Sequence, residues 1–159
     1  MKSTNCRVNK LFSFVASLVV LLSLVGSLWA SIPAASAATA PAKQSPRVVQ
    51  VHLGNASGDL RFEPDELSFV AGQRYKLVLD NPSSQKHYFT AKDFADAIWS
   101  QKVEAGNVEI KGAIHELELR PGTEAEWFFV AEKPGTYELH CAIAGHTEAG
   151  MVGRLVIAS

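Results

Sequence analysis

Three residues near the carboxyl end of the chain, Cys141, His146 and Met151, are spaced so that one loop could bring them to a single point. The spacing is Cys-x4-His-x4-Met, and glycines at positions 145 and 150 would let the loop turn between them. A thiolate, an imidazole and a weak thioether form a soft donor set that favours copper. Two histidines and a cysteine in a trigonal arrangement, with a distant axial methionine, form the copper site used for electron transfer. The pattern therefore predicts such a site and requires a second histidine from elsewhere in the chain.

The best candidate for this histidine is His87, which follows the 81–86 loop at the start of a predicted strand. His52 and His115 are the rivals, but polar neighbours within predicted strands make them more typical of surface histidines. His140 directly precedes Cys141, and successive residues of a strand point to opposite faces. We therefore expect His140 at the surface or at a sheet edge.

The elements that must position these residues are β-strands. Val49, Val51 and Leu53 alternate with more polar positions and predict a first strand, which ends in the turn at 54–58. Further strands are predicted at 67–69, 75–79, 87–90, 114–119, 126–130, 136–141 and 152–158. Seven or eight short strands separated by Gly and Pro turns predict an all-β fold, an antiparallel β-sandwich.

The segment from 91 to 112 breaks this pattern. Phe94, Ala95, Ile98 and Trp99 recur at helical spacing and predict a short amphipathic helix. Residues 101–112 are charged and contain two glycines, which predicts an irregular excursion with one strand.

The amino-terminal 37 residues have the organisation of a secretory signal. They contain three basic residues and no acidic one, followed by twenty uncharged residues from Leu11 to Ala30 and an Ala35-Ser36-Ala37 cleavage pattern. The alternative is an uncleaved anchor, since twenty apolar residues can just span a bilayer. We predict a signal peptide at 1–37, a polar linker at 38–46 and one domain at 47–159.

Removal of this segment changes the meaning of the composition. Of the 15 Lys and Arg residues, 12 remain against 16 Asp and Glu residues, so the formal net charge falls from −1 to −4. A mildly acidic chain without a basic cluster is not expected to bind nucleic acid. Cys141 becomes the single thiol of an exported domain, where cysteines usually occur in disulfide pairs.

Two simpler interpretations of the motif stay open. A buried cysteine near a methionine is more often part of a core than a ligand. Zinc could also use the same donors, although it prefers a harder fourth ligand than a thioether.

The sequence resembles the cupredoxins, the small blue-copper proteins of the plastocyanin, azurin and rusticyanin kind. The resemblance covers 47–158 and is most specific over 137–156, where a strand leads to the cysteine, a Gly-His pair, a Gly-Met pair and a last apolar strand. A second match is Phe62-x-Pro64-x2-Leu67, followed by Ala-Gly at 71–72 and the strand that ends at Asn81. The Cys-x4-His-x4-Met spacing is most similar to the rusticyanin type.

The resemblance implies an eight-stranded Greek-key β-sandwich with one copper ion near one end. His87, Cys141 and His146 would then be equatorial ligands, and Met151 the axial ligand. One position departs from the family pattern, because Tyr88 stands where an Asn often follows the first histidine and helps to hold the cysteine loop.

The function expected from these residues is one-electron transfer by a soluble type-1 copper protein. Four protein ligands leave no open position for a substrate, and copper oxidases usually carry His-x-His pairs, which this sequence lacks. We therefore expect a carrier rather than an enzyme. The alternative is a periplasmic protein for copper buffering, delivery or tolerance.

The expected setting follows from the same features. We expect export to the periplasm, a thylakoid lumen or an equivalent compartment, with membrane attachment only if the signal segment is retained. We expect a monomer whose redox partner docks on the apolar loop around His146.

Overall fold

The structure is a computed structural model that describes residues 40–159, and their backbone is mainly extended. The predicted signal segment at 1–37 lies outside the described residues. A short 3-10 helix, Pro41–Lys43, precedes the first strand, and one α-helix, α1, covers Lys92–Ala95. The described strands are β1 (Arg47–Leu53), β2 (Phe62–Glu63), β3 (Glu66–Val70), β4 (Arg74–Asp80), β5 (His87–Thr90), β6 (Ile98–Ala105), β7 (Val108–Ile110), β8 (Glu116–Leu119), β9 (Glu124–Ala131), β10 (Gly135–His140) and β11 (Val152–Ala158).

These strands form two sheets, which confirms the predicted β-sandwich. Sheet 1 has the order β2-β1-β4-β9-β6-β7, and sheet 2 has the order β3-β11-β10-β5-β8. From β4 to β10, most connections carry the chain from one sheet to the other. As a result, strands that are neighbours in the sequence are usually not neighbours in a sheet.

The predicted antiparallel β-sandwich is a sandwich in the structure, but two of its strand pairs are parallel. β1 pairs with β4 in parallel, and β3 pairs with β11 in parallel. In both pairs other strands lie between the two partners in the sequence, so no hairpin fixes their relative direction. The alternation of side chains is the same for both directions and gives no sign of the difference.

The segment 91–112 also differs from expectation. The helix ends at Ala95, and Ile98 and Trp99 open the long strand β6. β6 pairs with β9 and forms an antiparallel hairpin with β7, so the region is an extension of sheet 1 rather than an irregular excursion. A bulge at Gln101 shifts the register between Ser100 and Lys102, which breaks the strand period that sequence analysis looks for.

The space between the sheets is filled by aromatic side chains. Trp127 and Phe129 of β9 are almost fully buried, as is Phe89 of β5. The Trp127 ring contacts Phe89 edge-on at 6.4 Å and Phe129 at 5.9 Å between ring centroids. Because His87 lies two residues before Phe89 on the same inward face of β5, this core supports the strand that carries the histidine.

Candidate metal centre

The loop from Cys141 to Met151 joins β10 to β11 and is closed by hydrogen bonds of its own backbone. The Cys141 N–H donates to the Met151 carbonyl at 3.1 Å, and the Met151 N–H donates to the His146 carbonyl at 2.9 Å. The Thr147 hydroxyl donates to the Cys141 carbonyl at 3.1 Å. Gly145 has a φ of 85°, a conformation that side chains rarely adopt, and it allows the turn before His146. These bonds fix three of the predicted ligands relative to one another.

The fourth predicted ligand, His87, is positioned by a polar network in the preceding loop. Asn81 is 1 % exposed, and its amide donates to the carbonyls of Gln85 and Leu119 at 2.7 and 2.9 Å. The Asn81 side-chain oxygen accepts from the Ser83 N–H at 3.0 Å and from its hydroxyl at 2.8 Å. One buried amide therefore fastens the 81–86 loop to the end of β8, and the chain enters β5 at His87 in a fixed position.

The structure brings the three strongest donors together. Ligand atoms of His87, Cys141 and His146 all lie within 4.8 Å of one another. The Cys141 Sγ is 3.5 Å from His146 Nδ1, and the two imidazole rings are 5.2 Å apart between centroids. Met151 is fully buried, and its backbone is bonded to both Cys141 and His146.

His87 combines near-complete burial with a ring nitrogen that, in the described part of the chain, contacts neither a hydrogen-bond partner nor a carboxylate. His87 is 1 % exposed, and its Nδ1 has no hydrogen-bond partner among the described residues. Nδ1 of His52 and Nδ1 of His140 instead lie 2.7 and 3.3 Å from the carboxylates of Asp80 and Glu138. A buried polar atom without a partner is rare and asks for an explanation, and a metal bond would supply one. The residues present therefore fit a bound metal ion.

The protonation of His87 is also suited to a ligand. Burial, together with the nearby His146, lowers the pKa of His87 below its ordinary value of 6.5. At neutral pH the ring is then uncharged and offers a lone pair, which is the form that binds a metal.

Comparison with known proteins agrees with this geometry. Residues 20–157 match the family model of the cupredoxin-like domain. The chain belongs to the cupredoxin-like family. Plastocyanin of Prochlorothrix hollandica is 30% identical over 149 residues, which cover 94% of each chain. The copper-resistant cuproprotein CopI of Pseudomonas aeruginosa is 28% identical in an alignment of 175 positions, which spans 89% of this chain and 94% of CopI.

A solved structure also shares this cupredoxin fold. The dithionite-reduced auracyanin of Roseiflexus castenholzii superposes with a TM-score of 0.52 at 19% identity. The match covers 73% of this chain and all of the auracyanin chain.

The other three histidines of this cupredoxin do not belong to the cluster of donors. His52 is in β1, where its side chain is 43% exposed and contacts Asp80. His115 comes just before β8 and contacts Asp96, with Nε2 2.8 Å from the carboxylate oxygen. His140 is the last residue of β10 and contacts Glu138, so it lies beside the cysteine without joining the site. The expectation that these three are surface histidines is consistent with their positions.

Tyr88, the residue that departs from the cupredoxin pattern, contacts the site through its backbone. Its N–H donates to Cys141 Sγ at 3.4 Å. Its side chain points to the outer face of sheet 2, where the hydroxyl donates to Glu118. Hydrogen bonds to a ligating sulfur tune the metal site, so Tyr88 acts on the sulfur although its side chain does not reach it.

Sequence reasoning missed the residues that support the ligands. The sequence pattern indicates Asn81 only as the end of a strand. Its side chain instead anchors the loop before His87. The Asn-Pro-Ser stretch at 81–83 was the available signal, since Asn and Ser side chains commonly bond the backbone two residues away.

Proposed function

We propose that this cupredoxin is a type-1 copper protein that carries single electrons, with His87, Cys141 and His146 as equatorial ligands and Met151 as the axial ligand. The observation that carries the proposal is the cluster of a thiolate and two imidazole donors within 4.8 Å, next to a buried thioether. A copper ion bound there would exchange one electron between Cu(I) and Cu(II). The chain's own contribution is to hold the donors in place and to exclude water from them.

The burial of the site supports a carrier. Cys141 and Met151 are fully buried and His87 is 1 % exposed, so neither solvent nor a substrate reaches these donors. His146 is 8% exposed and is the donor that comes nearest to the surface. Electrons would therefore enter and leave through the edge of its imidazole ring.

We further propose that the chain is not an enzyme. Cupredoxin domains also occur in multicopper oxidases and copper nitrite reductases, so the family alone does not exclude an enzyme. Among residues 40–159 the only group of three or more His, Cys, Asp or Glu side chains placed to hold a metal is the one described. A second metal centre, which such oxidases need, has no counterpart in the described part of this chain.

The surface around His146 suits a transient partner. Ala142, Ala144, Gly145 and Ala149 are exposed on the loop that surrounds the histidine, where Glu148 is the one charged residue. A small apolar patch of this kind favours weak, short-lived docking of a redox protein. We propose that the partner binds here and that the protein is a monomer.

The site of action follows from the amino-terminal sequence rather than from the described residues. We propose export to the periplasm or an equivalent compartment, because the signal-like segment precedes a domain with one free cysteine. In residues 40–159 there is no helix of the length and hydropathy that crossing a membrane requires.

A second candidate function is copper handling. CopI, whose name describes copper resistance, matches this chain over nearly its whole length. The ligands alone do not separate a carrier from a protein that sequesters copper, since both need tight binding.

Addition of Cu(II) to the purified protein tests the copper site. An intense visible band from thiolate-to-copper charge transfer should appear, and Cys141→Ser should abolish it. His115→Gln is the matched control, because it removes a histidine that pairs with Asp96 outside the donor cluster and should leave the band unchanged. A protein that binds Cu(II) without a visible band would refute the type-1 assignment.

Deletion of the gene separates the two candidate functions. If the protein is a carrier, the deletion strain should lose electron flow in respiration or photosynthesis at ordinary copper concentrations. If it is a copper handler, the deletion strain should grow poorly only when the copper concentration is raised.

A further inference from the structure

Both sequence neighbours of His87 reach the same carboxylate on the adjacent strand. The Tyr88 hydroxyl donates to Glu118 Oε2, and Lys86 Nζ lies 3.2 Å from the same oxygen. Lys86 Nζ also lies 3.3 Å from the Tyr88 hydroxyl and 5.3 Å from the centroid of the Tyr88 ring. We call these three residues the Tyr88 clamp. Its members contact one another in every pair, and the other carboxylate oxygen of Glu118 lies 3.7 Å from Arg120 Nε, so the clamp is a network rather than a single surface ion pair.

The Tyr88 clamp lies on the outer face of sheet 2, directly behind the site. Tyr88 is paired with Glu118 across β5 and β8, and His87 is paired with Leu119. Because successive residues of a strand face opposite sides, His87 points inward while Tyr88 points outward. The side chains of the clamp therefore hold the backbone on both sides of His87 from the face opposite its imidazole ring.

The other side of β5 offers little support at this level. β5 pairs with β10 at one register position among the described residues, Thr90 with His140. Nearer to His87, the link from β5 to the end of β10 is the hydrogen bond from the Tyr88 N–H to Cys141 Sγ. The position of that N–H is consequently set from the β8 side, where the clamp lies.

The charges of the clamp favour its closed form. The pKa of Lys86 is raised by the hydrogen bonds that Lys86 makes to Tyr88 and Glu118. The pKa of Glu118 is lowered by the hydrogen bonds that Glu118 accepts from Tyr88 and Lys86. Both groups are thus charged at neutral pH, and a charged acceptor strengthens the bond from the phenol.

We propose that Tyr88 is a positioning residue: its phenol, held by Glu118 and Lys86, keeps the Tyr88 N–H on the sulfur of Cys141. The inference rests on the proposed copper site for its effect on reduction, but the clamp itself exists without metal. A hydrogen bond to the thiolate stabilises its negative charge, which favours the reduced state of a metal bound to it. Loosening the clamp should therefore make reduction less favourable.

The first test measures the metal-free protein. Amide hydrogen exchange, followed by NMR, reports how firmly the N–H of residue 88 is held. In Tyr88→Phe this amide should exchange at least fivefold faster than in the wild type. Thr90→Val is the matched control, because Thr90 makes a corresponding hydroxyl bond to Glu116 at 2.9 Å on the same strand pair. The control should leave exchange at residue 88 within twofold.

The second test measures the copper-loaded protein. In Tyr88→Phe the equilibrium constant for one-electron reduction should fall about fivefold, where a tenfold change corresponds to 59 mV. Glu118→Ala should lower it in the same direction, while Glu116→Ala should leave it within twofold. Agreement between the two clamp variants guards against an effect peculiar to the tyrosine substitution.

The outcomes separate the two proposals. If amide exchange at residue 88 is unchanged in both Tyr88→Phe and Glu118→Ala, the positioning role is wrong, whatever the metal does. If exchange rises but reduction is unaffected, the clamp does not tune the site, and the inference is overturned at that step. If the wild type gives no visible copper band, the proposed function fails, while the exchange measurement still decides whether the clamp holds the amide.

Discussion

Replacement of Gly54 by alanine should damage the candidate metal centre by direct contact. Gly54 lies in the turn after β1, and a Cβ added there would lie 2.9 Å from Nε2 of His87 and 3.1 Å from Cβ of Ser83. An ordinary contact is about 3.5 Å, so the imidazole would have to move by about 0.6 Å. Binding sites depend on ligands held to within about 0.5 Å of their working geometry.

The magnitude has two parts. Gly54 has a φ of +73°, and an alanine in that conformation costs about 1–2 kcal/mol of folding free energy. Overpacking against His87 and Ser83 adds about 1–3 kcal/mol. Gly58 is the matched control: its φ is +86° and an added Cβ would meet nothing within 4 Å, so Gly58→Ala carries only the first part.

Two measurements separate these parts. Denaturant unfolding of the metal-free protein should show a loss of about 2–5 kcal/mol for Gly54→Ala and about 1–2 kcal/mol for Gly58→Ala. Copper affinity, measured by competition with a chelator, should fall roughly tenfold or more for Gly54→Ala alone, the size usual for disturbing a group that orients a ligand. If both variants lose the same stability and keep the same affinity, His87 is not packed against Gly54 and the reasoning is refuted.

Four further predictions concern the ligands and their surroundings. Asn81→Ala should cost about 3 kcal/mol in denaturant unfolding because it leaves buried carbonyls unpaired, whereas Asn55→Ala, in an exposed loop, should cost under about 1 kcal/mol. Met151→Leu should keep the visible copper band and raise the reduction potential measured by redox titration; loss of the band would contradict an axial role. The metal-free protein should lose stability as pH falls below 6.5. The pKa of His87 is lower in the folded than in the unfolded chain, so the unfolded chain binds the proton first. In a His87→Gln variant the free energy of unfolding should depend less on pH in this range. Ala144→Glu should slow electron transfer to a protein oxidant about tenfold while leaving the rate with a small oxidant unchanged; an unchanged rate with the protein oxidant would place docking elsewhere.

The sequence was sufficient for features that depend on short-range patterns. Val152–Ala158 was predicted with the bounds that the structure has, because a short apolar run rich in β-branched residues follows the Gly-Met turn. The spacing of Cys141, His146 and Met151 predicted their meeting, since one short loop contains all three. His87 was chosen by its place between a polar loop and a strand, and the structure places its ring beside that of His146.

Features that depend on distant pairing were not accessible in this way. The parallel pairing of β1 with β4 results from how the two sheets assemble, and either direction would satisfy the same alternation. The bulge at Gln101 is stabilised by its side chain, which accepts from Arg74 Nε at 2.9 Å, a partner 27 residues away. The sequence alone does not reveal that contact, and the charged, glycine-containing composition of residues 101–112 is typical of an irregular segment.

The way in which the donors are held bears on the choice between carrier and copper handler. The backbone bonds of the 141–151 loop and the Asn81 network do not involve the donor atoms, so these contacts do not depend on a bound metal. Electron transfer gains from such a rigid site, because little has to move when the charge changes. Release of copper, in contrast, requires the loop to open, since His146 is the donor that reaches the surface and the Cys141 sulfur is fully buried. A fixed, buried site thus favours rapid electron exchange and slow release of copper. Measuring the rate of electron exchange and the rate of copper loss to a chelator would reveal that difference directly.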